Sequence, residues 1–303
     1  MKVLVTGATG FLGKLLVAQL LAQGDEVHYV TTNASKIKNA KGVWGFVWDP
    51  AAGSIEPKAL EGVDVIYHLA GATVSKRWTP TYKEEILDSR IQSAATLYLA
   101  LQKGNHQVKQ FISASAVGGY VSSETAQYTE ADMKHNPSFL GQVVEAWETA
   151  ADQFEQLGIG VTKIRIGLVL SELGGALPVM MKPISLGAGA VFGTGKQYYS
   201  WIHVEDLIGL FCFVKNKRLL GAFNGVGDRP ETCRDFTVVL AKKMHRPLWL
   251  PAVPGWVLKT VLGEMAAVVL ESQNVSNDKI KQAGFGFKYQ TLEAALEAIL
   301  SKE

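Results

Sequence analysis

The fold turns on one stretch, Lys2-Val-Leu-Val-Thr6-Gly7-Ala-Thr-Gly10-Phe-Leu-Gly13. An apolar, β-branched run, Lys2–Thr6, passes directly into three evenly spaced glycines. Leu15, Leu16, Leu20 and Leu21 then recur at helical intervals as far as Gly24, a residue suited to the left-handed position after a helix. Val27–Thr31 reads as a second buried strand, so strand, helix and strand follow in quick succession. That order opens an α/β fold, a Rossmann-type doubly wound parallel sheet.

Each glycine has a separate task at such a turn. Gly7 permits the tight bend, Gly10 lets backbone N–H groups approach a pyrophosphate, and Gly13 lets helix and strand pack closely. The helix N-terminus would then face the phosphates with the positive end of its dipole. Gly7, Thr9, Gly10, Phe11, Leu12 and Gly13 therefore form the candidate dinucleotide turn. A NAD site also wants a carboxylate at the end of the second strand, for the ribose 2′-hydroxyl. Here that end reads Val30-Thr31-Thr32-Asn33-Ala34-Ser35-Lys36, with Lys38 close by and no acid. Hydroxyls, an amide and lysines suit a 2′-phosphate, so the expected cofactor is NADP rather than NAD. The later Gly193-Thr-Gly-Lys196 is not a kinase-type phosphate loop, because Gln197 replaces the hydroxyl residue and Ala190 the first glycine.

Further strands are expected at Val63–Leu69, Gln110–Ser113 and Val161–Leu168. Helices are expected at Thr81–Lys103, with Pro80 at its start, and at Phe139–Leu157, closed by Gly158. Beyond Leu170 the alternation lapses into Gly-rich loops, and helical patterns return at Val257–Leu270 and Leu292–Leu300. The expected organisation is a nucleotide-binding core at 1–170 and a smaller α/β substrate lobe at 171–303, with the chain rejoining the sheet near Gly221–Asn224.

Composition removes several classes. Of 303 residues, 48% are hydrophobic and 19% charged, which excludes a disordered chain. Thirty Lys and Arg against 28 Asp and Glu, with no basic run, give no electrostatic case for nucleic acid or a membrane surface. Cys212 and Cys233 are too few for a disulfide framework or a cysteine zinc site, and no metal is expected. No apolar run approaches the roughly 18 residues of a spanning helix. The expectation is a cytoplasmic protein with a small-molecule substrate.

Three motifs together, Gly7-x-x-Gly10-x-x-Gly13, His68-Leu-Ala-Gly71 and Ser113-Ala-Ser115, resemble the extended short-chain dehydrogenase/reductases. Trp48-Asp-Pro, Arg77-Trp78, Ser89-Arg90-Ile91, Arg165-Ile-Gly-Leu-Val-Leu-Ser171, Gly174-Gly-Ala-Leu177, Ser200-Trp-Ile-His203 and Gly284-Phe285 narrow the match. They resemble the atypical branch of epimerase family proteins, also labelled cell-division-inhibitor-like, whose C-terminal domain of unknown function is similar to Pro251–Leu300. The resemblance implies that Leu69, Ala70 and Gly71 line the cofactor and that Arg90 approaches its phosphates or adenosine. It also implies that Thr31 and Thr32 contact the 2′-phosphate region and that Ile166 and Val169 border the nicotinamide. Ser115 matches the superfamily's active-site serine.

One signature of hydride transfer is missing. The superfamily uses Tyr-x-x-x-Lys, in which the lysine lowers the phenol's pKa. None of the nine tyrosines has a lysine four positions on, and the expected helix opens with Phe139-Leu-Gly-Gln-Val-Val144. Arg77 and Trp78 pair a cation with an aromatic plate and are candidate substrate contacts, as is His203, which titrates near neutrality when unperturbed. The sequence thus points to an NADP-dependent oxidoreductase with an altered active site, acting on a small polar carbonyl or sugar-like compound. Its alternative is a non-catalytic NADP-bound sensor or interaction protein.

Overall fold

Strand β1 (Lys2–Thr6) lies at the centre of an eight-stranded sheet and is flanked on one side by β2 (Glu26–Thr31), β3 (Val43–Asp49) and β4 (Ser54–Ile55). On its other side follow β5 (Val65–His68), β6 (Gln110–Ala116), β8 (Gly160–Ile166) and β12 (Gly221–Gly225). Every pairing is parallel except that of β3 with the short edge strand β4. The strand order reverses beside β1, and open sheets of this type bind ligands beyond the carboxyl ends at such a reversal. The computed structural model describes residues 1–301, so Lys302 and Glu303, the end of the expected substrate lobe, lie outside the described residues.

Helices cover both faces. Helix α1 (Phe11–Ala22) packs with α5 (Val204–Lys217) on one face, and α2 (Pro80–Lys103) with α3 (Phe139–Asp152) on the other. Thr79 and Ser138 cap α2 and α3 by accepting backbone N–H bonds from Tyr82 and Gly141. A 3-10 turn prolongs α3 to Leu157, and Gly158 ends it in the left-handed conformation at φ 71°. Helix α4 (Leu177–Ser185) begins the second region. Two short strand pairs tie the regions together, β7 (Gln127–Tyr128) with β14 (Asn274–Val275) and β9 (Leu168–Leu170) with β11 (Trp201–His203), while β10 (Tyr198–Tyr199) and β13 (Glu231–Thr232) pair within the second. No described helix is long and apolar enough to cross a membrane.

Two sequence expectations are corrected, and one strand went unread. The strand expected at Val161–Leu168 is two strands, because the chain bends at Gly167 and Leu168–Leu170 leaves the sheet to pair with Trp201–His203. An added Cβ at Gly167 would lie 2.0 Å from the Ser200 carbonyl oxygen, so only glycine allows that approach. The helix expected at Val257–Leu270 breaks at Gly263 (φ 62°, ψ −142°) into Gly255–Leu262, a 3-10 turn and Ala267–Leu270. Strand β3 was not legible, since it is half-exposed and only the short 3-10 turn Ala34–Lys36 precedes it.

Two core clusters sandwich the sheet. One joins Val3, Val5 and Leu16 to Leu207, Phe211, Ile280 and Phe287, so it draws on both ends of the chain. The other lies under α2 and α3, around Leu4, Ile66, Leu97, Phe111 and Phe154. A further cluster, Leu170 to Ile299, belongs to the second region and buries Trp201.

Candidate functional site

The three glycines differ in what they exclude. Gly7 takes φ +68°, and an added Cβ would lie 2.8 Å from the Leu69 backbone. Gly13 is buried, and its Cβ would come within 2.2 Å of the Gly7 carbonyl. Gly10 is exposed, with the Gly7 carbonyl, at 3.1 Å, the one neighbour of an added Cβ. Two glycines therefore hold the turn together, and the third keeps its outer face clear. No side chain caps α1, so its first N–H groups stand open to an anion. A pyrophosphate fits that cradle.

The hydroxyl of Thr6 accepts hydrogen bonds from the backbone N–H of Leu69 (3.1 Å) and Ala70 (3.0 Å), which pins the loop after β5 beside the turn. Phe11, Leu12, Leu69, Ile166 and Val169 are half-buried and pack on one core cluster. The residues expected to line the cofactor on this side of β1 are thus brought together. Gly71 continues the loop and is exposed. At the end of β2, Thr31 is buried and accepts from the Asn33 N–H (3.3 Å), whereas Thr32 is exposed. Asn33 accepts in turn from the N–H and hydroxyl of Ser35, and Lys36 and Lys38 are exposed.

Beyond β5 the polar side chains are engaged with one another. His68 is fully buried between the hydroxyls of Ser93 (2.7 Å) and Ser113 (3.2 Å). Burial, aided by the Arg90 charge, pushes its pKa down to about 3, so the imidazole is neutral. Ser115 is buried and donates its hydroxyl proton to Glu148 of α3 at 2.6 Å. Glu148 also accepts two bonds from Arg165, from Nε at 2.8 Å and Nη2 at 3.0 Å. Burial works to raise the Glu148 pKa, but the Arg165 hydrogen bonds and charge outweigh it and hold the carboxyl below its usual range. Arg165 Nη1 donates to the Tyr120 hydroxyl (2.9 Å), which donates to Asn224 (2.7 Å). This chain was missed by the sequence reading. Its one signal was an arginine inside an apolar strand, which demands a buried partner.

Where the superfamily keeps tyrosine and lysine, α3 presents Phe139, Val143 and Val144. Phe139 meets Trp78 edge-to-face, with ring centroids 5.0 Å apart. Trp78 is buried and donates from Nε1 to the Val74 carbonyl, whereas its neighbour Arg77 is exposed. The two candidate substrate contacts therefore diverge, one into the α2–α3 cluster and one towards solvent. His203 lies elsewhere. It is buried, caps α5 by accepting from the Glu205 N–H (3.1 Å), and packs at a tilt of 38° against the Tyr289 ring. It shares a cavity with Leu15, Ala18 and Gln19 of α1, on the face opposite Trp78.

Known proteins share this chain's sequence pattern and fold. The NAD dependent epimerase/dehydratase family matches residues 3–224, and a domain of unknown function matches residues 253–299. An epimerase family protein of Staphylococcus aureus is 39% identical over 302 residues, 99% of each chain. The crystal structure of the human epimerase family protein SDR39U1 (isoform 2) with NADPH is 31% identical, superposes with a TM-score of 0.87 and covers 100% of both chains. A nucleoside-diphosphate sugar epimerase from Corynebacterium glutamicum is 27% identical with a TM-score of 0.79, this chain spanning 59% of its length. A glycine cradle of the right geometry and a match that runs nearly end to end lead to one conclusion: the chain belongs to the NAD dependent epimerase/dehydratase family, among its epimerase family proteins.

Proposed function

We propose that the chain binds NADPH in preference to NADH and is an oxidoreductase of altered mechanism, acting on a small polar carbonyl or sugar-like substrate. The observation that carries this reading is the open Gly10 face and uncapped α1 N-terminus beside a β2 end that bears hydroxyls and lysines but no acid. The NADPH in the human relative's structure supports it. The turn and the N-terminus of α1 receive the pyrophosphate, Thr31, Thr32 and Lys36 take the 2′-phosphate, and Leu69, Ala70, Gly71, Ile166 and Val169 border the nicotinamide. NADPH, when bound, supplies a hydride. Ser115 gives its hydroxyl proton to Glu148 and must turn it from that carboxylate to hold the oxygen of a carbonyl substrate. Arg77, exposed just before α2, supplies the substrate-side cation, while the buried Trp78 packs beneath it in the α2–α3 cluster.

A second reading has its own observation. Phe139, Val143 and Val144 are apolar where a proton relay belongs, and the Ser115 hydroxyl is already engaged. A non-catalytic NADPH-bound sensor would need neither. Calorimetry tests the shared part: NADPH should bind at least about tenfold tighter than NADH, and Thr32→Asp should narrow the gap by setting a carboxylate against the 2′-phosphate. Equal wild-type affinities would refute the preference. NADPH turnover screened over carbonyl compounds and nucleotide sugars tests the chemistry, with Ser115→Ala costing roughly ten- to a hundredfold in rate. Full activity in that variant removes Ser115 from the site.

A further inference from the structure

The charges of the whole chain nearly cancel, 30 basic residues against 28 acidic, but they are unevenly spread. Two stretches, 173–204 and 236–263, contain no Asp or Glu, yet carry Lys182, Lys196, Lys242, Lys243, Arg246 and Lys259. Lys243 is paired with Glu297 at 2.7 Å, and the other five are exposed. Glu264, the first acid beyond the second stretch, is held by Lys83 at 2.6 Å. The same two stretches hold the most exposed apolar side chains. Leu173, Val179, Leu186, Trp249, Trp256 and Val261 are between 67% and 76% exposed, whereas no other large apolar side chain among the described residues passes 56%.

Packing brings the two stretches together. On α4, Leu177 and Ile184 are buried, and Met180 and Met181 pack on the same core cluster. Val179, Lys182 and Leu186 follow one another at intervals of three and four on the opposite side, so the outer face of this helix is apolar with a lysine in its midst. A Cβ added at Gly189 would lie 2.8 Å from Ile184 and 2.9 Å from Leu248, so the loop bearing Arg246 and Trp249 rests against the end of α4. That loop joins α6 (Cys233–Lys243) to α7 (Gly255–Leu262). Within it, Val253 donates to the Val191 carbonyl (2.8 Å) and accepts from the Gly193 N–H (2.9 Å). On α7, Trp256 and Lys259 are one turn apart and both exposed.

We infer that this acid-free face of the second region docks on an anionic lipid bilayer. Val179, Leu186, Trp249 and Trp256 enter the headgroup boundary, and Lys182, Arg246 and Lys259 meet lipid phosphates. Indole rings suit the headgroup level, aliphatic tips the acyl boundary, and exposed cations the negative surface potential. A second copy of the chain fits the face poorly. A two-fold contact would set these cations against their own copies, with no carboxylate in either stretch to answer them. Nucleic acid would answer the cations but leave Val179 and Leu186 without an apolar partner. The inference does not depend on the cofactor reading.

Co-flotation of the full chain tests it, with vesicles of phosphatidylcholine alone or mixed equally with phosphatidylglycerol. The mixed vesicles should bind the protein at least about tenfold more strongly, and added salt should release it. Trp249→Ser combined with Trp256→Ser should weaken that binding at least about tenfold, as should Lys182→Gln combined with Arg246→Gln. Both double variants should melt near the wild-type temperature, because all four side chains are exposed. No binding to mixed vesicles at low salt would overturn the inference, as would equal binding to both kinds or undiminished binding in either double variant. Binding to duplex DNA that needs Lys182 and Arg246 but not the two tryptophans would give the face to nucleic acid. A dimer in sedimentation that Trp249→Ser dissolves would give it to a second copy. Either result also overturns the inference.

Discussion

The two halves of the crevice are built from different material. At β1 and α1 the polar atoms left open are main-chain N–H groups, and glycines keep side chains away from them. At β6, β8 and α3 the polar atoms are side chains, and they are bound to one another from Ser115 through Glu148, Arg165 and Tyr120 to Asn224. A backbone site is damaged by adding a methyl group; a side-chain network is damaged by removing a member. The first half therefore tolerates almost any chemistry beside it, and the second fixes its own protonation states.

Among changes that leave a folded protein to measure, removing Glu148 should have the largest effect. Glu148→Ala leaves Arg165, 4% exposed, without its carboxylate and should cost about 3–5 kcal/mol of stability in urea unfolding. The double variant Glu148→Leu with Arg165→Met should recover most of that. A single-variant loss below about 1 kcal/mol would show that the network is slack and would erase the contrast between the halves.

The counterpart in the backbone half is Gly10→Val. Its Cβ has space, with a single neighbour at 3.1 Å, so the protein should fold and melt near the wild-type temperature. NADPH affinity should nevertheless fall at least about a hundredfold, or about 2.7 kcal/mol, because the branched side chain occupies the pyrophosphate approach. Gly13→Val should fail to fold, since its Cβ would meet the Gly7 carbonyl at 2.2 Å. Unchanged affinity in Gly10→Val would remove the turn from the site.

The smallest effect, read over the one pH unit between 6 and 5, is a slope. His68 is held down to about 3 by burial, so below its ordinary pKa the unfolded chain binds a proton that the folded chain does not. Stability should therefore be intact above about pH 6.5 and decline by up to about 1.4 kcal/mol per pH unit as pH falls towards 3. Glu148, whose folded pKa is depressed, adds to the loss only below the usual carboxylate range. His68→Gln should flatten the profile between pH 6 and 5. An identical slope in the variant would mean that the imidazole charges within the fold.

What was legible follows the same division. Strand β1, the turn and α1 were readable because three glycines at fixed spacing, between a β-branched run and a leucine pattern, allow few other structures. The apolar residues where the tyrosine and lysine belong were readable for the same reason, as a local spacing that fails. The network was not readable, since Ser115, Glu148 and Asn224 meet only through the parallel pairing of β6, β8 and β12 and the packing of α3 upon it. Arg90 lay between these cases: the resemblance implied a cofactor contact, but its burial over Trp147 follows only from the packing of α2 on α3. His203 was singled out for its titration range, and the fold uses it as the cap of α5.

Ile280 and Phe287 occupy the cluster that also holds Val3 and Val5. A ribosome making this chain releases the first strand long before the residues that cover it. The backbone N–H groups of Lys288 and Tyr289 then close onto Asp206, securing the cover. The dinucleotide half, though encoded first, thus waits for nearly the whole chain before its core is dry, and such long-range closure is slow and exposes apolar strands meanwhile. Chains truncated before Ile280 should be captured by chaperones or digested by added protease during synthesis, whereas full-length chains should resist soon after release.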